Sequence, residues 1–229
     1  RSQKAAPVLF VNAKHTHYGT WATDSNSVSI SSMSEFEHIL SEITPSLIVF
    51  ESIDEESIKR IRQNSKTVLI PILVLPDSIL SEEEVELLCS HPRIILCNRG
   101  AAESEQFNDR IHQILSGDEI LPPHTGALVK KAILYLNKNA SQQIVRWKLA
   151  DTVHVSEDYL TRIFHKEIGL PLWEYLNRYR IFLAEKMLLE TNDTIYEIAE
   201  NSGFQDQAYF CRVFKKIHGV PPGKIRTKQ

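Results

Sequence analysis

Short apolar runs alternate with amphipathic stretches through the first half of the chain. They predict strands at residues 7–11, 28–31, 47–50, 69–75 and 93–97, and helices at 34–43, 55–63, 81–89 and 103–115. The runs at 47–50, 69–75 and 94–96 lack polar alternation, which is typical of strands buried on both faces. Strands and helices in alternation predict an α/β domain with a five-stranded parallel sheet. Residues 14–26 carry no apolar stripe, so we expect the first helix to be short or irregular.

The second half of the chain has apolar residues at helical spacing and no convincing strand. Examples are Leu128, Ile133 and Leu136. This half is predicted to be all α. Between the halves, residues 117–126 contain paired prolines that favour extended backbone. We therefore predict a regulatory domain at 1–116, a linker at 117–126 and a helical domain at 127–229.

The helical half contains one unit used twice. Moving it along itself by about 50 residues aligns Tyr159 with Tyr209, Arg162 with Arg212, Phe164 with Phe214, Lys166 with Lys216, Gly169 with Gly219 and Pro171 with Pro221. Identities at a single offset indicate an internal repeat. Each unit has a short helix with an inner Ala, a turn, and a second helix that ends in Gly and Pro. Two short helices joined by a tight turn are the helix-turn-helix plan, whose second helix enters the DNA major groove.

Helix signals frame both second helices. Ser156 and Asp206 are candidate N-caps, and Gly169 and Gly219 suit left-handed C-caps. Apolar spacing predicts an inward stripe of Tyr159, Leu160, Ile163 and Phe164, and a matching stripe of Phe210, Val213 and Phe214. The outward positions are candidates for reading DNA bases: Asp158, Thr161, Arg162, Gln207, Ala208, Cys211 and Arg212.

Arginine suits base reading because it can bond guanine O6 and N7 with two donors at once. The alternative is that Arg162 and Arg212 lie on a solvated face or pair with carboxylates. Between the units, residues 172–189 predict one helix of about 27 Å, at about 1.5 Å per residue. Such a helix would hold the second helices of the two units far enough apart to enter successive major grooves. The candidate phosphate contacts are His165, Lys166, Asn177, Arg178, Arg180, Lys215 and Lys216.

Charge is divided unevenly between the halves. The 229 residues carry a net charge of -3, which argues against a DNA partner if taken as a whole. Residues 1–126 hold 10 Lys and Arg against 18 Asp and Glu, whereas residues 127–229 hold 16 against 11. The helical half is therefore basic, and only this local value bears on phosphate binding.

Composition limits the remaining classes. No apolar run approaches the roughly 20 residues that cross a bilayer, so we expect no membrane contact within this chain. Three cysteines in a chain of this length favour a reducing, cytoplasmic location. The first residue is Arg1 rather than Met, and we expect the chain to be a piece of a longer protein. His15, His17, Cys89, His91 and Cys97 do not form a recognised zinc spacing, so neither a metal nor another cofactor is expected.

Residues 127–229 resemble the DNA-binding domain of the AraC/XylS family of bacterial transcription regulators. The residues that carry the resemblance are Leu149-Ala150, the run from Ser156 to Phe164, Gly169-Leu170-Pro171, the run from Tyr175 to Arg180, and the stretch from Ile195 to Pro222. The resemblance implies seven helices with two helix-turn-helix motifs joined by a long helix. It also implies binding to double-stranded promoter DNA, and usually activation through contact with RNA polymerase.

The acidic half resembles the flavodoxin-like receiver domain of two-component response regulators. That resemblance implies a phosphoacceptor Asp after the third strand, an acidic pair for Mg²⁺ after the first, Thr or Ser after the fourth and Lys after the fifth. Here Glu51 stands at the phosphoacceptor position, and the other positions hold Asn12-Ala13, Pro76 and Asn98-Arg99. We predict a degenerate receiver that is not phosphorylated. Glu51 either holds a carboxylate permanently where a phosphoryl group would lie, or is a leftover polar residue at a strand end.

These observations predict a DNA-binding transcription regulator, not an enzyme, controlled by a receiver-like domain. Alternative hypotheses are a phosphorylatable response regulator, the output portion of a larger hybrid sensor, and a protein-interaction module. The expected partners are promoter DNA, RNA polymerase, a second copy in a homodimer, and an upstream sensor kinase or attached sensor domain.

Overall fold

A computed structural model describes residues 7–13, 18–24, 26–116 and 125–226. The first half forms a five-stranded parallel sheet of β1 (Val8–Val11), β2 (Ser27–Ile30), β3 (Leu47–Phe50), β4 (Ile72–Val74) and β5 (Ile94–Leu96). The strand order is β2-β1-β3-β4-β5, with every neighbouring pair parallel. The predicted α/β class and all five strands are confirmed. The order reverses between β1 and β3, and such a switch point opens a crevice at the carboxyl ends of the strands.

The apolar runs became buried strands as predicted. All residues of β1, β3, β4 and β5 are buried, whereas β2, at the sheet edge, has two exposed residues, one half-buried residue and one buried residue. The helices of this half are α1 (Thr20–Asp24), α2 (Phe36–Glu42), α3 (Glu55–Gln63), α4 (Glu82–Ser90), α5 (Arg99–Ala102) and α6 (Glu105–Ser116). A 3-10 turn at Met33–Glu35 precedes α2. The first helix is short, as expected, and α5 is an additional turn of helix before the predicted last one.

The described part of the second half is helical throughout and contains no strand. Its seven helices are α7 (Ala127–Lys138), α8 (Arg146–Thr152), α9 (Glu157–Ile168), α10 (Leu172–Glu190), α11 (Ile195–Asn201), α12 (Gln207–His218) and α13 (Pro222–Arg226). Helices α8 and α9 form the first repeated unit, and α11 and α12 form the second. Helix α10, of 19 residues, connects them.

The boundary between the two hydrophobic cores does not coincide with the boundary between the acidic and the basic half of the chain. One continuous core runs from the sheet through the first helix-turn-helix unit and ends at Tyr179, in the middle of α10. A second core begins at Ile181 and contains only the end of α10 and the second unit. The sheet and the first unit therefore share a core, and α10 crosses from one core to the other. Most of the predicted linker, residues 117–124, lies outside the described residues.

Within the described ranges, none of the helices combines the length and the apolar character that crossing a membrane requires.

Candidate nucleic-acid interface

The predicted caps define the ends of both second helices. The Ser156 side chain accepts a hydrogen bond from the Tyr159 N–H at the start of α9, and Asp206 does the same for the Tyr209 N–H at the start of α12. Gly169 and Gly219 end these helices with φ of 84° and 75°. This left-handed backbone favours glycine. The two helices are 12 residues each, so matching side chains stand at equivalent points of both units.

The inner faces of α9 and α12 are buried through Leu160, Phe164, Phe210 and Phe214. The prediction that Tyr159 points inward is wrong, because this residue is 41% exposed, as is Tyr209 at 42%. Both tyrosines lie beside the apolar stripe, at the edge of the helix that faces solvent. Helical spacing alone assigned Tyr159 to the core because its ring counts as apolar, although the hydroxyl favours a half-exposed place.

Each exposed tyrosine stacks with the repeated arginine of its own helix. The Arg162 guanidinium lies over the Tyr159 ring at 5.4 Å, and that of Arg212 lies over the Tyr209 ring at 5.8 Å. Both arginines are exposed. No carboxylate pairs with either one among the described ion pairs, which disfavours the alternative that they pair with acidic side chains. The arginine and tyrosine therefore form the same stack in both units.

The other base-reading candidates fall on the same surfaces. Asp158, Thr161, Gln207 and Ala208 are exposed, whereas Cys211 is half-buried against the second core. Burial raises the pKa of the Cys211 thiol. The role of these outward residues in reading DNA bases remains a prediction.

The predicted phosphate contacts separate into two groups. His165, Lys166, Lys215 and Lys216 are exposed near the ends of α9 and α12. The three candidates on α10 have internal partners. Asn177 donates a hydrogen bond of 3.0 Å to the Tyr209 hydroxyl, and Arg178 pairs with Glu174 at 3.2 Å.

Arg180 is also engaged within the protein. Its guanidinium donates to the carbonyls of Ala140 and Gln142, each at 2.8 Å, and lies over the Phe204 ring at 5.8 Å. Burial lowers the pKa of Arg180. These contacts tie α10 to the loop after α7 and to the turn of the second unit. The sequence did not reveal them because backbone carbonyls have no sequence signature.

Glu51, which the sequence predicts to stand at a degenerate phosphoacceptor position, is buried in a polar network at the carboxyl ends of the strands. It is 7% exposed and accepts hydrogen bonds from the Tyr18 hydroxyl at 2.5 Å and from Arg99 at 2.9 Å. Arg99 also pairs with Asp77 through its other terminal nitrogen. Burial raises the pKa of Tyr18, which keeps this hydroxyl protonated as a donor. The resemblance drew attention to Glu51 and Arg99, whereas nothing in the sequence marked Tyr18.

The remaining receiver positions supply no metal ligand of the expected kind. Asn12 has a φ of 47°, and neither it nor Ala13 carries a carboxylate. No group of three or more His, Cys, Asp or Glu side chains able to hold a metal ion occurs in the ranges that the structure describes. His15 and His17 lie outside those ranges.

A charged cluster that the sequence did not indicate lies between the sheet and the first unit. Glu167, on α9, accepts a hydrogen bond of 2.5 Å from the Gly126 N–H. Lys130, only 2% exposed, donates to the Thr125 carbonyl at 2.6 Å, and Arg110 on α6 is 1% exposed. Burial lowers the pKa of Lys130 to about 8 and that of Arg110 to about 10. The charges of Lys130, Arg110 and Glu167 interact across this boundary.

Together these features define a protein class: a double helix-turn-helix domain carried on a receiver-like parallel-sheet domain. The family model described as a helix-turn-helix domain matches residues 149–228. With the relatives that match this half, these residues are an AraC-type helix-turn-helix domain.

Two curated Bacillus subtilis relatives illustrate the similarity. The bifunctional transcriptional activator/DNA repair enzyme AdaA is 36% identical over 92 residues, which cover 40% of this chain and 44% of AdaA. The uncharacterized transcriptional regulatory protein YesN is 34% identical over 113 residues, which cover 46% of this chain and 30% of YesN. The match therefore spans less than half the length of either relative.

Among solved structures, the C-terminal domain of AraT, a response regulator from Geobacillus stearothermophilus, is 34% identical. The match covers 46% of this chain and 88% of that domain, with a TM-score of 0.44.

Proposed function

We propose that this chain is a sequence-specific, DNA-binding transcription regulator in which α9 and α12 enter successive major grooves. The observation that carries the proposal is the duplicated stack of Arg162 on Tyr159 and Arg212 on Tyr209. If these side chains were only solvated, nothing would require an exposed arginine and its supporting ring to recur at equivalent points of the two units. Two helices that both read DNA would require this recurrence, because each must present the same kind of donor to a base edge.

The stack suits base reading physically. A guanidinium over a ring keeps its N–H donors at its rim, so they remain free for guanine while the ring restricts the side chain. The base-reading surface then consists of Asp158, Thr161, Arg162, Gln207, Ala208, Cys211 and Arg212. Phosphate contact is assigned to His165, Lys166, Lys215 and Lys216, because these side chains are exposed beside the reading helices.

The α10 residues take a supporting role in this proposal. Asn177, Arg178 and Arg180 are bonded to Tyr209, Glu174 and the backbone of residues 140 and 142. In this proposal Asn177 and Arg180 hold the connecting helix against the second unit and the loop after α7, whereas Arg178 pairs within α10. A phosphate contact by any of them would have to coexist with these bonds or replace them.

Selection of bound sites from random double-stranded DNA tests the proposal. We expect selected sites with two conserved half-sites about one helical turn apart, since two helices must reach successive major grooves. Arg162→Ala should lose preference in one half-site and Arg212→Ala in the other. Recovery of sequences without any shared pattern would contradict sequence-specific reading.

We further propose that the receiver-like domain works without phosphorylation. The Glu51 carboxylate is already neutralised by Arg99 and bonded by Tyr18, as a phosphoryl group would be by donors at such a site. This favours the interpretation of Glu51 as a permanent carboxylate rather than a leftover residue. Incubation with acetyl phosphate and Mg²⁺, followed by intact-mass measurement, should give no acid-labile adduct. A phosphate adduct that forms on the wild-type chain and is abolished by Glu51→Gln would contradict this proposal and favour a phosphorylatable response regulator.

The remaining partners belong to the same proposal. An activating role through RNA polymerase is what the AraC-type resemblance implies, and AdaA is named as a transcriptional activator. Input is expected from an attached sensor domain or a homodimer contact, and a sensor kinase would supply it under the alternative of a phosphorylatable receiver. Transcription in vitro from a promoter that carries the selected site tests activation, since added protein should raise the transcript level.

A further inference from the structure

The connection from β5 into α5 joins the Glu51 network to the DNA-reading half. Three consecutive residues of this connection, Asn98, Arg99 and Gly100, contact different parts of the molecule. Arg99 binds Glu51 and Asp77 at the carboxyl ends of the strands. The backbone N–H of Asn98 donates to the hydroxyl of Tyr175, on α10, at 3.0 Å. The Asn98 side chain also caps α5 by accepting from the Ala101 N–H at 2.7 Å.

Gly100 brings α5 against the backbone of α10. A Cβ atom on Gly100 would lie 2.4 Å from the Arg178 carbonyl oxygen and 3.3 Å from the Phe182 Cβ. Contacts this short would force the two helices apart, so only glycine allows the observed approach. The residue before Arg99 and the residue after it therefore both contact α10.

The contact falls at a critical place on α10. The buried residues of α10 up to Tyr179 belong to the core shared with the sheet, and its buried residues from Ile181 onward belong to the core of the second unit. The partly buried Phe182 and Leu183 still pack against the first core, so α10 contacts both cores around this point. Arg178 lies immediately before this change. Around this point, the direction of α10 depends on its packing against α5 as well as on its own helical hydrogen bonds. A helix bent here would change the separation of the two reading helices.

We propose that Arg99 is a positioning residue for DNA reading: its bonds to Glu51 and Asp77 hold α5 against the middle of α10 and so fix the spacing of α9 and α12. The inference rests on the proposed DNA-reading function. It concerns how the two units are held together, whereas the base contacts themselves lie elsewhere.

Arg62 provides a matched control for the loss of a semi-buried arginine. It donates to the carbonyls of Ile70 at 2.9 Å and Pro92 at 2.9 Å, which precede β4 and β5. These contacts are at the amino ends of the strands, opposite to Glu51 and Arg99. Arg62→Gln should destabilise the sheet domain without loosening α5 from α10.

The first experiment compares DNA with two selected half-sites and DNA in which one half-site is scrambled, using the full chain. We expect Arg99→Gln and Glu51→Gln to lower the affinity for two-half-site DNA at least tenfold, with one-half-site affinity changed less than twofold. Arg99→Lys, which retains the charge, should recover part of the loss. Gly100→Ala should resemble Arg99→Gln, because it displaces α10 directly. Arg62→Gln should leave the ratio of the two affinities unchanged.

The second experiment measures amide hydrogen exchange in α10 without DNA. Arg99→Gln should speed exchange around residues 178–182 about tenfold, and Arg62→Gln should not. This readout separates the two proposals, since failure of the wild-type chain to select any DNA sequence would overturn the DNA-reading function alone. The positioning role is overturned if Arg99→Gln leaves both the affinity ratio and α10 exchange unchanged, or if Arg62→Gln changes them equally.

Discussion

The side-chain amide of Asn177 donates a hydrogen bond of 3.0 Å to the hydroxyl of Tyr209, so the connecting helix α10 is bonded to the first turn of α12. The same Tyr209 ring lies under the guanidinium of Arg212. One aromatic side chain thus supports a candidate base-reading group and attaches its helix to the rest of the domain.

Two substitutions separate these roles of Tyr209. Tyr209→Leu removes both the stack and the hydrogen bond, and should reduce discrimination at the base position read by Arg212 by about 0.5–1 kcal/mol. Tyr209→Phe removes only the bond to Asn177 and should retain discrimination. Competition binding against site variants measures the difference. Equal loss in both variants would assign the effect to the hydroxyl and contradict a role for the stack.

Base-reading and phosphate-contacting residues should respond differently to substitution. Arg162→Ala or Arg212→Ala should cost about 1–3 kcal/mol on the selected site and relax preference at one base position, because a bidentate donor is lost. Lys216→Ala should weaken binding to selected and random DNA alike and lower the salt slope by about 1. Titrations at several salt concentrations check both. An equal loss on random DNA for Arg162→Ala would contradict its assignment.

Gly203 should tolerate no side chain. Its φ is +95°, and a Cβ atom there would lie 2.1 Å from the Ala140 carbonyl oxygen, which also accepts the hydrogen bond from Arg180. Gly203→Ala should therefore destabilise the protein by about 2–3 kcal/mol. Gly223→Ala is the control, since a Cβ at that helical position meets nothing within 4 Å. Chemical denaturation measures both, and similar stabilities for the two variants would contradict the prediction.

Stability should depend on the protonation of Lys130. Burial lowers its pKa to about 8, below the ordinary value of 10.5, so the unfolded chain binds more protons than the folded chain between these pH values. The penalty for burying the charged amine is fully present below about pH 8 and is relieved as the pH rises toward 10.5. The free energy of unfolding of the wild-type chain should thus rise relative to Lys130→Met by about 1–3 kcal/mol over this window.

Denaturation at several pH values provides the measurement. The exposed neighbour Lys131 supplies the control, and Lys131→Met should follow the wild-type pH profile. A wild-type profile parallel to that of Lys130→Met would show that Lys130 does not titrate in this window.

Much of this molecule follows from local rules. Unbroken apolar runs marked the buried strands because a strand covered on both faces has no polar side. The repeat, its caps and its C-terminal glycines predicted both helix-turn-helix units, since capping needs particular residue types at particular positions. The outward arginines were evident from the same periodicity, and Glu51 and Arg99 from the resemblance to a receiver domain.

The sequence by itself thus determined the fold class and the two helix-turn-helix units, and it singled out the second helix of each unit and Glu51 as candidates for function. Only the tertiary structure decided that Tyr159 lies outside the core beneath Arg162, that Arg180 bonds loop carbonyls, and that the sheet shares its core with the first unit. These features depend on surfaces far apart in the chain. Backbone carbonyls, close helix approaches and shared cores leave no periodic signal, because they arise from which surfaces meet rather than from the order of the residues.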